Sequence, residues 1–93
     1  MSKYYVDISD TAKDNIKMFE KAGKKLILKK INNLIEELYD HPRIGTGHPE
    51  PLIGFEGKRW SRRINKEHRL CYEIQDDIVV VLVLSAYGHY KDE

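Results

Sequence analysis

The chain has 93 residues, 41% of them hydrophobic and 33% charged, with a formal net charge of +1. That length holds one domain, residues 1–93, with one modest core that buries roughly 60–65% of the unfolded surface, and the lone Cys71 excludes an intrachain disulfide framework. The near-neutral total excludes a uniformly basic nucleic-acid binder but hides a segregation: residues 58–69 carry six basic groups (Lys58, Arg59, Arg62, Arg63, Lys66, Arg69) against Glu67, a local charge of +5, while the remainder sums to −4.

In chain order, residues 3–8, with Tyr4, Tyr5, Val6 and Ile8, predict a short strand. Ser9 and Asp10 offer capping oxygens to a helix over about residues 11–21, whose apolar positions Ala12, Ile16 and Phe19 fall at i, i+4 and i+7. Gly23 ends it. A second helix over about residues 24–39 carries the stripe Ile27, Ile31, Leu34, Ile35, Leu38 and stops at Asp40-His41-Pro42. The short link predicts a helix hairpin. Residues 43–57, rich in Gly and Pro, predict a loop. Residues 59–65 then alternate, with Trp60, Arg62 and Ile64 opposing Ser61 and Arg63. After a turn at residues 65–67, the segment 68–75 alternates Leu70, Tyr72, Ile74 against Arg69, Cys71, Glu73. Asp76-Asp77 turns the chain into residues 78–84, apolar throughout, which predicts a central strand covered on both faces. The first strand is expected to pair beside this last one. The fold class is α+β: an N-terminal strand, a helix hairpin, then an antiparallel strand run forming a small sheet.

Met1 to Asp10 lacks the apolar core of an export signal, and the longest apolar run, seven residues, is far below the roughly 20 of a membrane span. A cytoplasmic protein with no membrane partner is expected.

Arg63 and Arg69 flank the turn at residues 65–67 and can reach one face. Guanidinium forks match phosphate oxygens, and the aromatic groups Trp60, Tyr72, Tyr87 and Tyr90 near the same strands suit single-stranded RNA. Solvated basic faces are nevertheless common, and Trp60 and Tyr72 alternate as core residues. None of the histidines 41, 48, 68 and 89 has zinc spacing with a partner, so no metal is expected. Glu50 stands between Pro49 and Pro51, which restrict where it points. Alone, Glu50 and His89 would each most often be incidental surface residues. Together with arginines they match the needs of metal-free RNA cleavage: a base for the 2′-OH, an acid for the leaving 5′-oxygen, and cations around the phosphorane.

The ordered strings Gly47-His48-Pro49-Glu50-Pro51-Leu52, Trp60-Ser61-Arg62-Arg63-Ile64, Glu67-His68-Arg69-Leu70 with Tyr72, and His89-Tyr90 resemble the YoeB/Txe family of the RelE toxin superfamily. The resemblance covers nearly the whole chain. It implies a microbial-RNase-like fold and a ribosome-dependent endoribonuclease that cuts mRNA in the ribosomal A site. It implies Glu50 as general base, His89 as general acid and Arg69 as the transition-state arginine. Arg63 and Tyr90 would contact phosphate or RNA, and no cofactor is implied. It further implies a cognate antitoxin of YefM/Axe type, binding of operator DNA only through the antitoxin complex, and a possible homodimer. Two positions depart from the family pattern. Ile53 stands where a basic residue often follows Pro-Glu-Pro-Leu, with Lys58 or Arg59 as the expected compensation, and Lys91-Asp92-Glu93 extend past His-Tyr. The alternatives on the same scaffold are a gyrase-targeting ParE-like toxin and an antitoxin-dependent co-repressor. An antitoxin segment covering Arg63 or Arg69 is expected to be acidic or amphipathic.

Overall fold

The computed structural model describes residues 3–88. Strand β1 (Tyr5–Ile8) leads into helix α1 (Asp10–Lys21), then α2 (Lys25–Leu38), and four strands follow: β2 (Glu50–Pro51), β3 (Arg59–Arg63), β4 (Arg69–Gln75) and β5 (Val80–Ser85). The sheet order is β1-β5-β4-β3-β2, with β1 parallel to β5 and the remaining neighbours antiparallel. The first strand therefore does lie beside the last.

Local chemistry explains the helix ends. The Ser9 hydroxyl accepts from the Ala12 N–H at 3.1 Å, capping α1, and donates to the Leu84 carbonyl at 2.9 Å, tying that cap to β5. At the other end Gly23 takes φ +68, its N–H bonds Glu20 O, and the Lys24 N–H bonds Phe19 O. This paired pattern is the one a glycine-terminated helix uses to satisfy its last carbonyls, and it turns the chain directly into α2. The Asn15 side-chain oxygen accepts from the Ala86 N–H at 3.0 Å, so α1 also grips the exit of β5.

Both helices pack on one face of the sheet. Ala12, Phe19, Ile31, Leu34, Ile35 and Leu38 bury against Val6, Leu70, Tyr72, Ile74, Val81 and Val83. Of the predicted stripes, Ile16 and Ile27 are only partly buried. The expected double coverage of residues 78–84 does not hold. Val81 and Val83 are buried, but Val80, Leu82 and Leu84 are half-buried on the outer face. Ile78 closes a 3-10 turn, Asp76–Ile78, and Val79 follows at φ +57, so the strand begins only at Val80. Ile78 and Val79 are exposed. Among the described residues, no helix is long and apolar enough to cross a membrane.

Candidate active site

The outer face of the sheet carries the polar chemistry, and the strand register says which groups share it. Arg63 lies directly across from Arg69, Ser61 across from Cys71, and Arg59 across from Glu73. Glu50 lies across from Ser61 on the far side. Paired residues project to the same face. Glu50, Ser61, Arg63 and Arg69 thus form one cluster. Two like charges opposed across a ladder destabilise the pair. Here the cost is accepted next to a carboxylate, and an anion seated between the guanidiniums would relieve it.

Glu50 was expected in a loop; it sits instead on an edge strand. Two features put it there. Gly47, at φ +86, lets its carbonyl accept from the Arg63 N–H at 2.7 Å, and a Cβ on Gly47 would fall 2.9 Å from Arg63 O. The backbone can approach β3 only because residue 47 is glycine. Beyond Glu50, the Leu52 N–H bonds Arg59 O at 2.8 Å. Pro51, which offers no N–H to a neighbour, suits the edge. The Glu50 side chain is exposed and, among the described residues, no hydrogen bond or ion pair engages it.

The loop before Glu50 is organised by a residue that charge counting had grouped with the basic cluster. Arg62, on the opposite side of β3 from Arg63, is fully buried. Its guanidinium pairs with Glu37 of α2 at 2.8 Å and donates to the carbonyls of His41, Ile44 (2.9 Å) and Thr46 (3.3 Å). Its Nε donates to the Tyr72 hydroxyl at 3.0 Å, which in turn donates to Pro42 O at 2.7 Å. Arg62 is therefore an internal post around which residues 41–46 wrap. Burial alone would raise the Glu37 carboxyl, but hydrogen bonds from Thr46 and Arg62 and the Arg62 charge outweigh it and hold the group below its ordinary value. Burial pushes the Tyr72 hydroxyl up, against the opposing effect of Arg62.

Arg69 is half-buried, and its Nη1 reaches Ser61 Oγ at 3.5 Å, towards the Glu50 row. Ser61, which the sequence reading did not single out, is buried and steers that guanidinium. Arg63 and Lys58 are exposed. Arg59 is committed elsewhere: it pairs with Glu73 at 3.2 Å and lies 4.7 Å from the Phe55 ring. Of the two basic residues expected to compensate for the exposed Ile53, Lys58 is the less engaged. Burial pushes the Cys71 thiol up, against the opposing effects of Ser85 and the Arg69 charge, and so disfavours the thiolate. His89 and Tyr90, the remaining expected site residues, lie outside the described residues, as do Lys91, Asp92 and Glu93.

A helix hairpin packed on one side of this mixed sheet is the α+β fold of RelE-type bacterial toxins. Within that class the chain belongs to the YoeB-like toxins of bacterial type II toxin–antitoxin systems, whose family model matches residues 8–90. It is 47% identical over 73 residues to the toxin YoeB of a Synechocystis strain, covering 78% of this chain and 81% of that one. It is similar to the YoeB dimer from Staphylococcus aureus, with a TM-score of 0.79 and 32% identity over 96% of this chain and 100% of that one. The YoeB–YefM complex from the same organism matches with a TM-score of 0.75 at the same identity and coverage.

Proposed function

We propose that this toxin is a ribosome-dependent endoribonuclease that cleaves mRNA in the ribosomal A site by acid–base transesterification, with no cofactor. The observation that carries the reading is the placement of Glu50 on an edge strand, in register with Ser61 and on the same face as the opposed Arg63–Arg69 pair. A carboxylate that no described residue engages, on the same face as two guanidiniums, supplies a proton acceptor and an anion clamp within one surface. Glu50 takes the proton of the 2′-OH, and the freed oxygen attacks the adjacent phosphorus. Arg69 and Arg63 hold the non-bridging oxygens as charge builds on the phosphorane. His89 gives its proton to the departing 5′-oxygen, leaving a 2′,3′-cyclic phosphate and a 5′-hydroxyl. Tyr90 contacts the RNA beside it, and Lys58 and Arg59 add positive charge along the path of the strand.

The overall charge supports delivery of substrate by the ribosome. The +5 of residues 58–69 includes the buried, paired Arg62, and the rest of the chain is acidic. Long-range attraction to bulk RNA is therefore weak, and local positive charge acts once RNA is presented. The complex of the S. aureus relative with YefM supports an antitoxin of that type as partner here, its acidic or amphipathic segment covering Arg63 or Arg69 and carrying the pair to operator DNA. The relative's dimer supports a homodimer.

The test is cleavage of a programmed mRNA on purified ribosomes with EDTA present. Wild type is expected to cut within the A-site codon and Arg69→Ala to leave the message intact. Uncut message with wild type, or equal cutting by the variant, overturns the reading.

A further inference from the structure

The third motif of the chain contains a histidine that the proposed reaction does not use. His68 stands at the entry to β4, immediately before Arg69. Its backbone is fixed by the turn: the Asn65 side-chain oxygen accepts from the N–H groups of Glu67 and His68, both at 2.8 Å, and the His68 carbonyl accepts from Ile64 N–H at 2.9 Å. Its ring is fixed as well. It lies edge-on to Phe19 of α1 at 5.0 Å between centroids and tilted against Tyr87 at 4.8 Å. A ring held this firmly presents its nitrogens in one direction.

That direction is the chain beyond β5. His68 Nδ1 accepts from the Gly88 N–H at 2.9 Å, and the Arg69 N–H donates to the Gly88 carbonyl at 3.0 Å. Both backbone polar groups of Gly88 are thus held by two consecutive residues at the start of β4. Gly88 itself takes φ +76, a conformation that suits glycine, and a Cβ there would meet nothing within 4 Å. With Nδ1 accepting, a neutral imidazole must carry its proton on Nε2, so the contact selects one tautomer.

We propose that His68 is a positioning residue for the C-terminal segment. Its Nδ1, with the Arg69 main-chain N–H, clamps Gly88, the residue that leads directly into His89. The clamp rests on the nuclease reading insofar as His89 is its acid. It couples the segment carrying that acid to the same residue pair that supplies the transition-state arginine. The Gly88 contacts and the transition-state arginine then share one strand entry. A general acid misplaced by about 1 Å loses on the order of 100-fold in rate, so a single side-chain acceptor at Gly88 can govern turnover without touching RNA.

The experiment compares full-length His68→Phe with His68→Asn. Phenylalanine keeps a ring against Phe19 and Tyr87 and removes the acceptor. Asparagine loses the ring but sets an amide oxygen near the place of Nδ1. The turnover number on programmed ribosomes is expected to fall roughly 10- to 100-fold in His68→Phe with KM unchanged, and to recover substantially in His68→Asn. The Gly88 amide, read by hydrogen exchange, should lose protection in the first variant and keep it in the second. Wild-type turnover with a protected Gly88 in His68→Phe overturns the proposal. So do equal losses in both variants that track only their melting temperatures. If wild type itself cuts nothing, the nuclease reading falls alone: exchange at Gly88 still decides the clamp, and an unchanged amide in His68→Phe overturns it.

Discussion

Arg62 and Arg63 are neighbours in sequence with opposite surroundings. Arg62 turns into the helix-covered face, where Glu37, Tyr72 and three loop carbonyls saturate its guanidinium. Arg63 turns out, exposed, across the ladder from Arg69. One arginine holds the fold and the other costs it something. Among the described residues, the inner face pairs the guanidinium it buries, while Glu50 and Arg63 on the outer face make no ion pair and stand open to a ligand.

The sharpest way to break this comparison is to remove each guanidinium in turn. Arg62→Met strands the part-buried carbonyls of the loop and the half-buried Glu37 carboxylate, and should cost about 2–4 kcal/mol in urea unfolding. Arg63→Met should change stability by no more than about 0.5 kcal/mol, and in the stabilising direction, because it relieves repulsion with Arg69. Similar losses in the two variants would erase the distinction between the faces. Activity should follow the reverse pattern at the outer face. Arg69→Ala is expected to lower turnover by about 10²–10³-fold, as the loss of one transition-state donor does elsewhere, while the urea midpoint stays near that of wild type. A large drop in midpoint would mean that Arg69 serves the fold.

The third break lies in the loop that both faces share. Gly47→Ala meets Arg63 O at 2.9 Å, with Arg62 Cβ and a Leu34 methyl at 3.2 Å, and must hold φ +86. Gly54→Ala carries a similar φ of +89 but meets nothing within 4 Å. The open site should cost about 1 kcal/mol for backbone strain alone, and the crowded one about 2–3 kcal/mol. The crowded variant should also move Glu50 and lower turnover, whereas the open one should not. Equal midpoints for the two would show that residues 45–49 yield easily and do not fix Glu50.

How much of this was legible in the sequence depends on the range of the interaction. The helices, their glycine stop and the β1–β5 pairing follow from apolar periodicity and from an apolar run that needs two neighbours. The Arg63–Arg69 opposition follows from a three-residue turn between alternating segments. Glu50 read as loop because a two-residue strand has no periodicity and Pro51 reads as a breaker; its pairing depends on Gly47 meeting β3. The alternation did set Arg62 beside Trp60 and Ile64, yet nothing local named its partners. Glu37 lies 25 residues away, and the loop carbonyls carry no side-chain signature. Ser61 and His68 were passed over for the same reason. A serine between a tryptophan and an arginine and a histidine beside an arginine acquire roles only when the fold puts Glu50 and Gly88 against them.

The smallest expected effect concerns acid. Among the described residues, three carboxyls sit below their ordinary values. Glu37 does so through Thr46 and Arg62 against the opposing effect of burial, Glu73 through Gln75 and Arg59, and Asp76 through Arg43 and Tyr4. A carboxyl lowered on folding binds fewer protons in the native state than in the unfolded one. Its contribution is complete above the unfolded value, about pH 4, and is lost as pH falls through the folded value. All three therefore make stability fall on acidification below about pH 4. They differ in what they face. Asp76 is exposed and pairs at 2.7 Å with an exposed Arg43, a contact that solvent screens. Glu37 faces a guanidinium with no water contact at all. Protonating Glu37 leaves that buried charge with neutral partners, the loop carbonyls and the Tyr72 hydroxyl, so Glu37 should dominate the acid limb. Glu37→Gln should flatten the stability curve between about pH 2 and 4, and Asp76→Asn should leave its slope nearly unchanged. If Asp76→Asn flattens the curve as much, the acid sensitivity belongs to the exposed Arg43–Asp76 pair and the inner face carries no special electrostatic weight.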